Sequence, residues 1–269
     1  MKNILFYGNC QLECIKNTMN LPSTMCTNTF IPCFSTLLSE IEFDDILKQS
    51  DIVITQPICD NYRDKYYLAS NYVVNKCKEG AIVIFVNNCH FDFYYLDLIY
   101  DKSDKYSHTC MMDCIEKNLG VDYYRQKYVE NDDLKSVDEL QVILDSTLMS
   151  LKNHYESMLQ YKKPYTHFIN IIPFIEENFK EKLLFYTFNH PSKHLLQFIA
   201  LEIVKILNLP NTINRQLDHF SLDRYILYSC IQKIVHFDVE QCKPFIHGNS
   251  DLNTIYNSYM KSNEEEEKQ

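Results

Sequence analysis

Apolar and polar positions change rhythm along this chain of 269 residues. Up to about residue 100, three short runs are apolar almost throughout: ILFYG (4–8), DIVITQ (51–56) and AIVIFV (81–86). Runs of that kind read as strands covered on both faces, as in parallel sheets. Between them, LLSEIEFDDILKQ and YLASNYVVNKCKEG carry helical spacing, and the second ends on Gly80, a residue suited to a helix C-cap. The alternation predicts an α/β subdomain with a small, mainly parallel sheet over 1–100.

From about residue 101 the spacing becomes helical. SVDELQVILDSTLMSLKNHYESMLQ opens with Ser136 and Glu139 in capping-box register and continues with apolar residues three and four apart. PSKHLLQFIALEIVKILNL puts Pro191 where a first helical turn accepts it and closes on Leu209 before Pro210. Residues 101–260 are therefore expected to form a helical layer, so that the sheet sits within a predominantly helical fold. The stretch 261–269, ending in EEEEKQ, is expected to be a solvated, disordered acidic tail.

Charge narrows the partners. Lys and Arg number 26 against 36 Asp and Glu, a net charge of −10, so no overall basic field exists for a nucleic-acid backbone or an acidic membrane surface. No window approaches the ~18 consecutive apolar residues of a membrane span. The start, MKNILFYGNCQ, turns polar too soon for a signal peptide, and a cytoplasmic protein is expected. The 11 cysteines include no C-x-x-C pair, and most read as reduced, small, buried hydrophobes. Cys10 with Cys14, and Cys110 with Cys114, lack a matching His pair, so no metal site is expected.

With only four glycines in the chain, Gly8 stands out between the first apolar run and Asn9, Cys10 and Gln11. A buried strand that ends there and leads into a helix puts the triplet at the carboxyl edge of a sheet, where open α/β folds bind ligands. Gly8 would relieve a tight turn or a close backbone approach. For Cys10 the residues leave two readings open. It is a thiol whose ionisation a helix N-terminus favours, or a small apolar residue packed under the sheet edge.

Four blocks, YGNCQ (7–11), QPICDNYR (56–63), NNCHFDFYYL (87–96) and FYTFNHPSKHLL (185–196), resemble in that order those of the WcbI-like polysaccharide-biosynthesis family. Where that family tends to read Gly-Tyr-His-Pro-Asp, this chain reads Asn88-Cys89-His90-Phe91-Asp92 and keeps the His and the Asp. The resemblance implies an acetyltransferase that uses acetyl-CoA, with coenzyme A as cofactor and a sugar or nucleotide-sugar as acceptor in glycan biosynthesis. Under that reading His190 and His90 are the candidate bases, since histidine titrates near working pH. Cys10 either carries the acyl group or lies beside the coenzyme's sulfur. Asn9, Gln11 and Asn189 would donate hydrogen bonds to an oxyanion, and Gly8 would let the backbone approach. Arg63 would clamp a phosphate with Lys65 or Lys193 in support, and Tyr62, Tyr66 and Tyr67 offer rings to an adenine.

Plainer readings stand beside these. His190 can pack at a helix start, His90 can be satisfied by Asp92, and Arg63 with Asp60 can form a surface ion pair worth ~0–1 kcal/mol. Two other functions fit the same residues. One is a cysteine-dependent esterase or thioesterase built like the Gly-Asp-Ser hydrolases. The other is a non-catalytic module that binds a coenzyme or sugar.

Overall fold

The computed structural model describes residues 1–35, 38–100, 106–221, 225–239 and 252–266, with side chains to 260 in the last stretch. Its strands are β1 (Lys2–Gly8), β2 (Cys26–Pro32), β3 (Ile52–Thr55), β4 (Ile82–Val86), β5 (Leu98–Tyr100), β6 (Tyr106–His108), β7 (Thr166–Ile169), β8 (Phe185–Thr187) and β9 (His190–Pro191). The α-helices are α1 (Cys10–Met19), α2 (Glu40–Gln49), α3 (Ser70–Lys76), α4 (Thr109–Glu116), α5 (Val121–Tyr124), α6 (Val137–Met158), α7 (Ile172–Asn178), α8 (Lys193–Leu207) and α9 (Leu252–Glu266). The chain divides into two compact units. The first comprises Met1–Cys89, Ser150–Glu176 and Lys193–Asp218, and the second His90–Met149, Glu177–Ser192 and His219–Gln269.

The first unit is built on a five-stranded parallel sheet in the order β2-β1-β3-β4-β7. The last five residues of β1, all of β3 and the last four of β4 are buried, which is why their sequences are unbroken apolar runs. On one face Leu5, Tyr7 and Val53 pack with Phe43 and Leu47 of α2 and Val73 of α3. The chain leaves β1 through α1 to β2 on one side, then returns through α2 to β3 on the other. The order therefore reverses between β1 and β3, the position where open parallel sheets leave a crevice.

Two strands in this sheet were not expected. β2 is an edge strand whose residues alternate between covered and exposed, and β7, only four residues long, lies beyond residue 100. Neither is an apolar run. The expected helix stop at Gly80 also moves. α3 ends at Lys76, and Gly80 adopts φ +78° in the turn before β4. The capping box at α6 has the geometry its sequence implies: Glu139 N–H donates to Ser136 Oγ at 3.2 Å and Ser136 N–H to Glu139 Oε2 at 2.8 Å.

The second unit has an aromatic centre. Phe91 stacks on Phe185 at 5.3 Å and meets Tyr94 edge-on at 4.9 Å, and the Tyr94 hydroxyl donates to the Phe179 carbonyl at 2.6 Å. Strands β5 and β6 form one antiparallel pair and β8 and β9 another. Pro191 was expected in a helix. It pairs with Phe185 in the β8–β9 hairpin instead, and α8 begins two residues later at Lys193. The expected acidic tail falls partly on α9, whose backbone runs to Glu266, while residues 267–269 lie outside the described ones. Among the described residues no helix is long and apolar enough to cross a membrane.

Inside this unit Asp97 and His108 form a buried pair, Nδ1 to Oδ1 2.8 Å, and the Cys110 N–H donates to Asp97 Oδ2 at 3.1 Å. Burial alone would raise the Asp97 carboxyl. The His108 imidazole, the Tyr228 hydroxyl and the Cys110 N–H outweigh that and hold it below its ordinary value. In the unfolded chain this carboxyl titrates near about 3.9. Its contribution is therefore complete above that pH and is lost as pH falls through the lower folded value. We expect Asp97→Asn to lower stability at neutral pH by ~1.5–3 kcal/mol. We also expect it to flatten the loss of stability below about pH 3.9 in urea titrations. Identical acid slopes in variant and wild type would show that Asp97 does not carry this dependence.

Candidate active site

The turn from β1 into α1 answers why a glycine stands at position 8. A Cβ built there would lie 2.6 Å from both Gln56 Oε1 and Leu12 Cδ1, closer than such atoms approach. Gly8 thus allows Gln56 to reach across from the end of β3, where its Oε1 accepts from Asn9 N–H at 3.0 Å. Gln56 Nε2 donates to Gln11 Oε1 at 2.9 Å, the same oxygen accepts from Cys89 N–H at 3.1 Å, and Gln11 Nε2 donates to the Cys89 carbonyl at 2.9 Å. Gln11 and Gln56 are each only 2% exposed. Asn9 caps α1 with its side-chain oxygen on Gln11 N–H at 2.9 Å. Cys10, the first residue of the helix, is exposed.

Beside this turn, within the first unit, lies a cavity of about 600 Å³. Gly8, Asn9, Cys33, Gln56, Tyr62 and Tyr161 contribute to its wall. It sits at the carboxyl ends of β1, β2 and β3, over the reversal of strand order. Burial pushes the Cys33 thiol up from its ordinary value, a hydrogen bond with Tyr62 pulls it back, and Cys10 adds to the rise. Cys33 is therefore held as a thiol. Tyr62 is raised too, first by burial and then by Cys33.

Arg63 is exposed, its Cζ 5.8 Å from the Tyr62 ring centre and its Nη1 donating to the Phe34 carbonyl at 3.4 Å. Its backbone is left-handed at φ 52°, between Asn61 at 57° and Asp64 at 59°. Such conformations carry strain for a residue with a Cβ. Tyr66 and Tyr67 turn toward α2 and the segment before it: their hydroxyls donate to Glu40 Oε2 at 2.7 Å and to the Leu38 carbonyl at 2.9 Å. Lys65 lies 5.8 Å above the Tyr67 ring, and Lys193 opens α8 in the same unit.

His90, Asn189 and His190 belong to the second unit. His90 Nε2 is 2.8 Å from Asp92 Oδ1, and its ring tilts against Phe188 at 5.0 Å. At the β8–β9 turn the Thr187 hydroxyl oxygen accepts from the N–H groups of Asn189 at 3.3 Å and His190 at 3.1 Å. The His190 ring stacks on Phe220 at 4.3 Å. Tyr106 joins this group, its hydroxyl meeting the Asn189 carboxamide oxygen and lying 3.3 Å from His190 Nε2. Among the described residues no three His, Cys, Asp or Glu side chains gather as a metal-binding group.

Nothing in the sequence alone singles out Cys33, Gln56, Tyr161, Tyr106 or Thr187, which the structure places beside these residues. Gln56 and Thr187 do stand inside two of the quoted blocks, directly after β3 and at the end of β8. Cys33 became visible only with β2, which it follows.

Residues 3–212 match the model of a family described as polysaccharide biosynthesis enzyme WcbI. A solved structure of WcbI, described as a novel polysaccharide biosynthesis enzyme and as the native protein without a disulfide bond between coenzyme A and a cysteine, is similar in fold. Its TM-score is 0.76 at 20% sequence identity, and the match covers 100% of this chain and 90% of that one. No curated protein matches the chain.

The carboxamide contacts give a direct test. Gly8→Ala has to displace Gln56 or Leu12 and is expected to cost ~1–3 kcal/mol as an overpacking change. Gln11→Leu leaves the buried Cys89 N–H and Gln56 Nε2 without their acceptor, a loss of ~1–3 kcal/mol for each group so stranded. Urea unfolding midpoints measure both, and unchanged midpoints would mean that the turn does not depend on this packing.

Proposed function

Since the chain belongs to the WcbI family of polysaccharide biosynthesis enzymes, we propose that it binds coenzyme A and moves an acetyl group from acetyl-CoA to a sugar or nucleotide-sugar. The observation that carries this reading is the cavity at the reversal of strand order, walled by Asn9 of the Cys10 turn and by Tyr62. The similar WcbI structure is described as the native protein without a disulfide bond between coenzyme A and a cysteine, which names coenzyme A and a cysteine together. That supports the same ligand beside the Cys10 turn.

The residues present fit such a ligand. Arg63 offers a guanidinium to a phosphate, and Tyr62 and Tyr161 offer rings to a purine. Acetyl-CoA would supply an acyl group activated as a thioester. Cys10, exposed at the start of α1, is the candidate to accept it through sulfur. The acceptor's hydroxyl or amine must lose a proton as it is acylated, and His190 is the preferred base with His90 the alternative. Asn9 and Asn189 remain candidate donors to the developing oxyanion, and Lys193 a further phosphate ligand. Gln11, enclosed by its own hydrogen bonds, is better read as the strut of the Cys10 turn than as a ligand contact.

Isothermal calorimetry with coenzyme A tests the ligand. Arg63→Ala is expected to weaken binding by ~1.5–3 kcal/mol, the range of a charge-assisted contact. Unchanged affinity would remove Arg63 from the site, and no binding by the wild type together with turnover of simple esters would favour the hydrolase.

Intact mass spectrometry after exposure to acetyl-CoA alone tests the chemistry. We expect a single acetyl adduct that is absent from Cys10→Ala. His190→Ala should then lose ~100–10,000-fold in turnover, as for a general base. No adduct, with near-wild-type turnover by Cys10→Ala, would exclude the acyl-cysteine route and leave direct transfer.

A further inference from the structure

The cavity beside the Cys10 turn is also walled, within the first unit, by the end of α6. His154 and Ser157 stand on the last turns of that helix, and Gln160 and Tyr161 follow in the short 3-10 turn that closes it. A spacing of three brings His154, Ser157 and Gln160 to one side of the chain. The Ser157 hydroxyl donates to the His154 carbonyl at 2.8 Å, which leaves its oxygen to accept. Among the described residues the His154 ring and the Gln160 carboxamide make no hydrogen bond or ion pair, and both residues are exposed. Each group can donate as well as accept.

Charge decides what such a wall suits. Among the described residues that line the cavity none is Lys or Arg, and Asp60 supplies the one carboxylate. Burial raises the Tyr161 hydroxyl, and Asp60 and then Cys59 add to the rise, which sets both beside the end of α6. Arg63 stands instead by Tyr62 and bonds the Phe34 carbonyl, so the cation that a phosphate needs lies with that part of the wall. A phosphate next to Asp60 would meet like charge. A sugar hydroxyl would donate to the same carboxylate in a charge-assisted hydrogen bond.

We propose that the end of α6 is the acceptor's subsite, where His154, Ser157, Gln160 and Asp60 hold the hydroxyl or amino groups of a sugar that carries no phosphate. The proposal rests on the acyltransferase reading for calling that sugar an acceptor, and it narrows that reading. A nucleotide-sugar would bring its diphosphate, one bond from the ring, up to Asp60. The acceptor is therefore a free or polymer-linked sugar.

Side-chain nitrogen signals of His154 and Gln160 in the full chain test this. The probes are methyl glucoside, methyl galactoside, glucosamine, UDP-glucose and UDP-galactose, each titrated with and without coenzyme A. At least one unphosphorylated sugar should shift both signals under either condition, and neither UDP-sugar should bind more tightly than its methyl glycoside. His154→Ala and Gln160→Ala should each weaken that sugar roughly 2- to 10-fold, the loss of one neutral hydrogen bond, and leave coenzyme A affinity unchanged. The proposal is overturned if no unphosphorylated sugar shifts the signals, if a UDP-sugar binds more tightly than its methyl glycoside, or if the two substitutions weaken coenzyme A instead of the sugar. Sugar binding as described with no acyl transfer from acetyl-CoA would retain the subsite and refute the transferase.

Discussion

Two buried carboxamides, Gln11 and Gln56, hold the carboxyl ends of β1, β3 and β4 to one another. Each group carries both donors and an acceptor, so a short chain of them can satisfy backbone groups on different strands without introducing charge. In a low-dielectric interior such a chain is strong when complete and costly when broken. The position of Asn9, and with it the start of α1 and the exposure of Cys10, depends on that chain being closed. Gly8 is its steric condition, since the space a methyl group would fill holds Gln56 Oε1.

The parts of the fold that were legible in the sequence are those in which one local rule decides the outcome. β1, β3 and β4 are covered on both faces, so burial shows directly as an apolar run. Ser136 and Glu139 satisfy each other's helix terminus three residues apart, a relation visible without tertiary information. β2 escaped because an edge strand with alternately exposed positions reads as polar. β7 escaped because four residues are too few to show a period. At Pro191 two local preferences competed. The Thr187 hydroxyl captures the next N–H groups and folds the strand back before a helix can begin.

The candidate site was legible to a similar degree. The Gly-Asn-Cys-Gln turn at the head of α1 and the His90–Asp92 contact follow from neighbours in sequence. Gln56 was hidden because a polar residue after a strand looks like loop, although its carboxamide is buried. Tyr106 was hidden for another reason: it is one of 20 tyrosines and lies 84 residues from the histidine it touches. A contact across such a separation carries no signature of its own in the sequence.

Three residues of the segment after β3, Asn61, Arg63 and Asp64, hold left-handed backbone. Asparagine and aspartate tolerate that region better than arginine, whose backbone there costs ~1–2 kcal/mol relative to a residue without a Cβ. A laboratory selection for thermostability alone would therefore tend to replace Arg63 with glycine or asparagine. It would discard the guanidinium beside Tyr62 in the process. The persistence of arginine at 63 in a population under selection for activity, set against its loss in one selected only for folding, would measure whether the local strain at this position is offset by function.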